Sequence, residues 1–266
     1  MSLSVTILGC GSSGGVPRVA SGWGRCDPNE PRNRRRRCSI LVERAGPNGV
    51  TQVLVDTGAD LREQLIDAGV QRLDGVLYTH EHADHTHGID DLRPLAIHVR
   101  KRVDVWADAR TGAFLRSRFG YAFETPPGSD YPPILNEHRL QPGEPTALEG
   151  PGGAIVALPI ALTHGAETAL GFRFDGLAYT PDVNAIPDAS AALLGGLDVW
   201  IIDALRDTPH PSHFSLDDAL GWIERLKPRR AVLTNLHTDL DYATLKAQLP
   251  EHIDVAYDGM RIRAEG

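Results

Sequence analysis

Cysteine is scarce in this chain: Cys10, Cys26 and Cys38 are the only ones among 266 residues. An odd and sparse set excludes a disulfide-stapled scaffold and is read as free thiols. No apolar run approaches the roughly 18 residues that a membrane-spanning helix needs. With no N-terminal targeting pattern either, the expectation is a soluble, cytoplasmic protein that does not engage a membrane. Positive charge is in deficit, 27 Lys and Arg against 35 Asp and Glu, for a formal net charge of −8. That balance does not support strong non-specific nucleic-acid binding, although a local basic patch is compatible with it. A Walker loop is missing too. The alternation of Leu3, Val5 and Ile7 reads as a strand, and the Gly/Ser loop after it, Gly9 to Gly15, could cradle a phosphate with backbone N–H groups. No Lys-Ser/Thr and no clear helix follow it, so it is not a nucleotide-binding loop of that kind.

Histidine, by contrast, is concentrated. Thr79–His80–Glu81–His82–Ala83–Asp84–His85 carries the pattern H-x-H-x-D-H, and five of the eleven histidines fall between His80 and His98. The preceding Gly75–Val76–Leu77–Tyr78–Thr79 is short, apolar and β-prone, and Ile89, Leu92 and Leu95 suit a short helix. The histidines are therefore placed on the loop leaving a strand, at the mouth of a helix. On extended or turning backbone His80 and His82 project to one side and can share a metal. Asp84 and His85 are adjacent, so they diverge and can serve a second one. Imidazole and carboxylate without thiolate suit a divalent first-row ion such as Zn²⁺, Mn²⁺ or Fe²⁺. A solvated polar loop would account for one histidine, but hardly for four ligand-type residues in six positions after a buried strand.

The remaining landmarks follow in chain order. Residues 16–37 form a long loop rich in Pro, Gly, Asn and Arg. Its basic run of Arg32, Arg34, Arg35, Arg36 and Arg37 is either a solvated charged loop or a clamp for a phosphorylated substrate. Ser39–Glu43 and Gln52–Asp56 read as strands, with a helix after Gly58. Residues 101–150 offer a strand at Val103–Trp106 and a helix at Arg110–Arg118. The Pro-rich remainder is read as an insertion or lid, with Tyr121, Phe123 and Tyr131 either touching substrate or covering the core. Ala154–Leu162 is a strand running into Thr163–His164. A hairpin-like pair over 169–180 runs into Pro181–Asp182, and Leu197–Asp203 is a further buried strand. Ser215 and Asp218 form a capping pattern ahead of an amphipathic helix, which puts His213 on the loop before a helix N-terminus. Ala231–Asn235 is a strand, with His237 two residues beyond; a helix through Leu249 and a strand over Ile253–Tyr257 complete the chain.

H-x-H-x-D-H after a strand resembles the hallmark of the metallo-β-lactamase superfamily, and with the later strand-end residues the resemblance covers nearly the whole chain. It implies an α/β fold, the αββα four-layer sandwich, as a single domain over 1–266. It also implies two divalent ions, Zn²⁺ or Mn²⁺. By the resemblance one is held by His80, His82 and His164 and the other by Asp84, His85 and His237, with Asp182 bridging them and Asp56 supporting the loop from behind. Relatives carry a histidine where this chain has Asn235. His237 lies two residues further along extended backbone and so on the same face, and it is taken as the substitute, with Asn235 as the alternative.

The Gly/Ser loop, Arg37–Cys38–Ser39, the His213 loop and Tyr257–Asp258–Gly259–Met260 together resemble the PhnP-type branch, whose members are phosphodiesterases of cyclic phosphates of ribose derivatives. The resemblance implies a phosphodiesterase acting on a small-molecule phosphodiester, with a water shared between the ions as nucleophile. Asp84 would orient that water, His213 would protonate the leaving alkoxide, and Arg34, Arg35, Arg36 and Arg37 would bind phosphate. A homodimer is compatible with the sequence; a nucleic-acid partner is disfavoured. Some relatives carry a structural zinc on a Cys-x-Cys-x-x-Cys cluster and a histidine. This chain has only Cys26 and, in the histidine's place, Thr238, so no structural zinc is expected. The competing readings are an ester, thioester or lactam hydrolase, an RNA 3′-processing nuclease, and an inactive metal-binding module.

Overall fold

Successive residues of a strand point to opposite faces, and here both faces are apolar. Val53 and Val55 are buried together with Ile7, Phe172 and Ile201, whereas Leu54 between them is buried with Leu61, Leu65 and Leu115. A sheet that is apolar on both sides must be covered on both sides.

The computed structural model describes residues 3–264. It begins with β1 (Leu3–Gly9), β2 (Ser39–Gly46), β3 (Gly49–Val55), α1 (Leu61–Asp67), β4 (Gly75–Leu77), α2 (Ala83–Thr86) and α3 (Arg93–Val99). β5 (Val103–Ala107), α4 (Ala109–Phe123), β6 (Leu135–Arg139), β7 (Thr146–Leu148), β8 (Ile155–His164), β9 (Glu167–Phe174) and β10 (Leu177–Thr180) follow. The last third holds α5 (Asp188–Leu193), β11 (Val199–Asp203), α6 (Leu216–Leu226), β12 (Arg230–Thr234), α7 (Tyr242–Gln248), β13 (Ile253–Val255) and β14 (Arg261–Ala264).

The strands form two seven-stranded mixed sheets, ordered β14-β1-β2-β3-β4-β5-β6 and β13-β12-β11-β10-β9-β8-β7. In each, an antiparallel part passes into a parallel part, at β3 in the first sheet and at β10 in the second. Val5 and Val42 of the first sheet and Phe174, Tyr179 and Val232 of the second fill the seam between the sheets. Leu65, Leu95 and Leu115 of α1, α3 and α4 cover the outer face of the first sheet. Ala191, Ile223 and Leu245 of α5, α6 and α7 cover that of the second, packed with Trp200 and Leu233. The result is the four-layer αββα sandwich.

Residues 101–150 are not an insertion. Val103, Val105 and Ala107 are buried in alternation, Leu115 is buried, and the segment supplies β5, β6 and β7 to the two sheets and α4 to the outer layer. Phe123 belongs to the outer core, while Tyr121 and Tyr131 are exposed and line a surface pocket of about 280 Å³ with Arg93. β14, which the sequence did not reveal, pairs with β1. Among the described residues no helix is long and apolar enough to cross a membrane.

Candidate metal centre

Strand ends build the site. β3 ends at Val55, and Asp56 after it is fully buried with φ +67°. Asp is one of the few residues that tolerates this left-handed conformation. The bend delivers its carboxylate to the next loop: Oδ1 accepts from Thr79 N and Oδ2 from Thr79 Oγ1, each at 2.8 Å, and Oδ2 also accepts from His85 Nδ1 at 2.7 Å. With Nδ1 used for donation, His85 presents Nε2 to the site. Gly58 lets the turn carrying Asp84 pack close, because a Cβ there would collide with the Asp84 carbonyl.

His80, His82 and His85 leave this first sheet, while His164 at the end of β8 and Asp182 just after β10 arrive from the second. Their donor atoms converge in overlapping groups, each within 4.8 Å: His80, His82 and His164; His80, His85 and Asp182; and His164, Asp182 and His213. The His80 ring lies 4.5 Å from His82, 4.3 Å from His85 and 5.1 Å from His164, centre to centre. His85 Nε2 stands 3.1 Å from Asp182 Oδ1 and 3.4 Å from Asp84 Oδ2. His164 donates Nδ1 to the Ser212 carbonyl at 2.6 Å, which turns its Nε2 inward. His82 is exposed and touches Glu167, and Arg110 bridges Glu167 to Glu81 at this rim.

Two kinds of observation fit this group to divalent cations. His80 Nε2, His85 Nε2 and Asp182 Oδ1 are buried and make no hydrogen bond among the described residues, a costly state that ligation would relieve. The charges also await a cation. Burial pulls the His85 pKa down, but Asp182, Asp84 and Asp56 around it outweigh that and hold it well above its usual value. Burial holds His80 well below, neutral and ready to ligate.

His213, on the loop after β11, donates Nδ1 to Asp203 Oδ2 at 2.9 Å and lies 3.6 Å from Asp182. Burial lowers its pKa, but the Asp203 hydrogen bond and charge, with Asp182, lift it to about 9. Asp203 belongs to this arrangement although no motif in the sequence marks it. It repeats the signal given by Asp56 and Asp182, a carboxylate at the end of an apolar strand, here Val199–Trp200–Ile201–Ile202.

The structure does not bring His237 to this group. Its Nε2 contacts Arg18 Nη1 at 2.5 Å and its Nδ1 lies 3.2 Å from Asp239, so both nitrogens are engaged elsewhere. Asn235 is the residue beside the cluster. It is buried, with φ +61°; its amide nitrogen donates to the Pro181 carbonyl at 2.8 Å and lies 3.1 Å from His213 Nδ1.

Nor is the arginine run presented to the cluster as a clamp. Arg35 is only 2% exposed, and its guanidinium is spent on the carbonyls of Leu240 and His237 and on Asn33. Arg36 pairs with Asp258 and Asp67, and Arg37 with Asp60. Arg34 is exposed, 5.9 Å over Trp23. Arg34, Arg35, Arg36 and Arg37 line a separate cavity of about 720 Å³ together with Asp60, Asp67 and Asp258. Of these four consecutive cations, Arg36 and Arg37 are offset by carboxylates, Arg35 by carbonyls, and Arg34 by solvent.

Comparison with known proteins bears on the same residues. A family model described as "Beta-lactamase superfamily domain" matches residues 51–235. A crystal structure described as a new diphosphatase from the PhnP family is 35% identical, with a TM-score of 0.87, over 99% of this chain and 98% of that one. Zn²⁺-bound PqqB from Methylobacterium extorquens is 18% identical with a TM-score of 0.72, over 97% of this chain and 99% of that one, a likeness of fold. The octanoyltransferase of Porphyromonas gingivalis is 32% identical over 96% of this chain but only 50% of that protein, so the chain spans half its length.

Proposed function

Because the chain belongs to the β-lactamase superfamily and is a metal-dependent hydrolase, we propose that the bond it cleaves is a phosphodiester, in a small cyclic phosphate or nucleotide-like ester. The observation that carries this reading is the His213–Asp203 pair beside Asp182. A thiolate leaves without help near neutral pH, its thiol having a pKa of about 8.5, but an alkoxide needs a proton as its bond to phosphorus breaks. His213 holds that proton, and Asp203 keeps it there.

Divalent ions, when bound, activate water and offset charge on the phosphoryl oxygens. His80, His82, His164, Asp84, His85 and Asp182 would hold them, and Asp84 would orient the attacking water. Asp56 fixes the His85 tautomer and the Thr79 backbone. Arg18 and Arg206 have no carboxylate partner among the described residues and bear on His237 beside the His213 loop, which suits an anionic substrate. The likeness to a PhnP-family diphosphatase supports phosphorus chemistry as well. Thiol-based acyl transfer has little to work with here. Burial raises the pKa of both Cys10 and Cys38 well above the usual thiol value, and all three cysteines are buried. Buried free thiols suit a reducing compartment, and we place the enzyme in the cytoplasm.

A turnover screen of cyclic diesters, linear diesters, diphosphates and thioesters, with Mn²⁺- and Zn²⁺-loaded protein, tests the reading. Diester turnover is expected; turnover of thioesters alone overturns it. His213→Ala should lower kcat by about 10²–10⁴ for an alkoxide leaving group and far less for p-nitrophenolate. Equal losses on both would remove the proton-donor role.

A further inference from the structure

We propose that the groove between α3 and residues 126–134, on the outer side of the first sheet, is a docking site for another protein. Its occupant is a short acidic segment anchored by apolar side chains.

Two adjoining cavities make the groove. One, of about 280 Å³, lies among Arg93, Tyr121, Pro126, Ser129 and Tyr131. The other, of about 360 Å³, is lined by Ile97, Pro132, Pro133 and Ile134 and by the basic run Arg100–Lys101–Arg102. Arg93 and Ile97 are one turn apart on α3, with Arg100 as its C-cap, and Tyr131 runs directly into Pro132. Tyr131 is 76% exposed and Ile97 67%. Single exposed apolar residues need no explanation, but a cluster of them marks a contact surface.

The exposure is built into the fold. Thr125 Oγ1 donates to the Tyr131 carbonyl at 3.0 Å, Tyr131 N to Ser129 Oγ at 3.2 Å, and Ile134 N to the Ala122 carbonyl at 2.8 Å. Two Pro-Pro pairs, at 126–127 and 132–133, stiffen the same wall. A wall ordered before binding spares the complex the entropy of ordering it.

Charge names the occupant. In a chain of net charge −8, residues 93–118 hold seven Lys and Arg against two Asp. Arg93, Lys101, Arg110 and Arg116 pair with carboxylates of the fold. Arg100 and Arg102 are exposed at the groove and have no carboxylate partner among the described residues. Asp130, beside Tyr131, is the exposed opposing charge. The partner's acidic residues therefore belong at the 100–102 end, and its apolar anchors at Ile97 and the two tyrosines. A nucleic acid needs cations along its whole track, and the wall of Ile97, Pro132, Pro133 and Ile134 offers none. A protein also agrees with the relative in which this fold is joined to as much polypeptide again.

The test is selection on full-length protein from a displayed library of random peptides of about 12 residues, with the selected peptides measured by fluorescence anisotropy. They should carry an excess of Asp and Glu around two or more apolar residues. Binding should weaken by about 10-fold or more in Ile97→Asp and in Tyr131→Ala. It should weaken similarly in the double variant Arg100→Asn, Arg102→Ala and fall with added salt. Val156→Asp, at an exposed apolar residue of β8, should leave it unchanged. An unchanged Tm in each variant separates lost binding from lost folding. Failure to select any peptide, selected peptides without acidic excess, or equal binding by wild type and the groove variants each overturn the proposal. Binding of a short oligothymidine that Ile97→Asp abolishes, or self-association that it abolishes, overturns it in favour of a nucleic acid or a second copy of the chain.

Discussion

Burial alone would strip the proton from His213. Asp203 opposes this by accepting from Nδ1, and its charge lifts the imidazole's pKa above the ordinary histidine value. Because the folded-state pKa is raised above the ordinary histidine value of about 6.5, the favourable interaction is complete below that value and is lost as pH rises through about 9. Asp203→Asn removes the charge and keeps the shape. The basic limb of its kcat profile should move to lower pH, and the imidazole resonance should titrate lower in step; an unmoved limb would deny Asp203 its positioning role. Arg35 makes a different case. Its buried guanidinium ties the 16–37 loop to residues 237–240. Arg35→Ala leaves those acceptors unmatched and should cost about 3 kcal/mol, whereas Arg34→Ala at the surface should stay within about 0.5 kcal/mol, both read by urea unfolding. The histidines of H-x-H-x-D-H were legible because their spacing is itself the chemistry. Asp203 was not, since one carboxylate after a strand looks like any turn residue until a histidine is seen beside it. Arg35 failed to show its role because sequence conveys charge and not burial.

Elements were legible where local physics suffices. Ser215 and Asp218 do form a reciprocal capping box, and α6 starts where that pattern put it. α7 starts on a one-way cap instead. Asp241 accepts from Thr244 N at its start and also receives the Asn33 side chain and the Asp27 N–H. Burial raises the Asp241 pKa, but these hydrogen bonds outweigh it and hold the carboxyl well below its usual range. A depressed pKa gives stability that is present above the unfolded value of about 3.9 and lost as pH falls through the folded one. Asp241→Ala should therefore cost about 1–2 kcal/mol at neutral pH, with a smaller difference from wild type in acid unfolding below about pH 4. In the 101–150 segment β5 and α4 stand where a strand and a helix are expected, but the many prolines beyond Tyr121 announce a loop and hide β6 and β7, which are five and three residues long. β14 was missed for a related reason: Arg261 and Arg263 alternate with Ile262, and a single buried residue is too short a pattern to announce a strand.

At the scale of the molecule, the site lies where the two sheets meet. His80, His82, Asp84 and His85 hang from one, and His164, Asp182 and Asn235 from the other. Cations bound there favour the folded chain over the unfolded one by mass action. Free ion at 100 times its dissociation constant contributes about 2.7 kcal/mol, so chelation should lower Tm by about 5–10 °C. A calorimetric scan with and without chelator measures this, and a variant lacking His80 should lose most of the difference. The fold was readable in advance through the resemblance carried by H-x-H-x-D-H, and the widely spaced strand-end donors agree with an architecture that returns the chain repeatedly to one edge.

That spacing has a consequence for biosynthesis. A ribosome releases the first four donors some eighty residues before His164 and about one hundred before Asp182. Until β8 and β10 have been translated and have taken their places, the early histidines hang on a sheet with nothing opposite them. The centre therefore closes only after the second sheet has formed, and an ion that arrives early finds only half a nest.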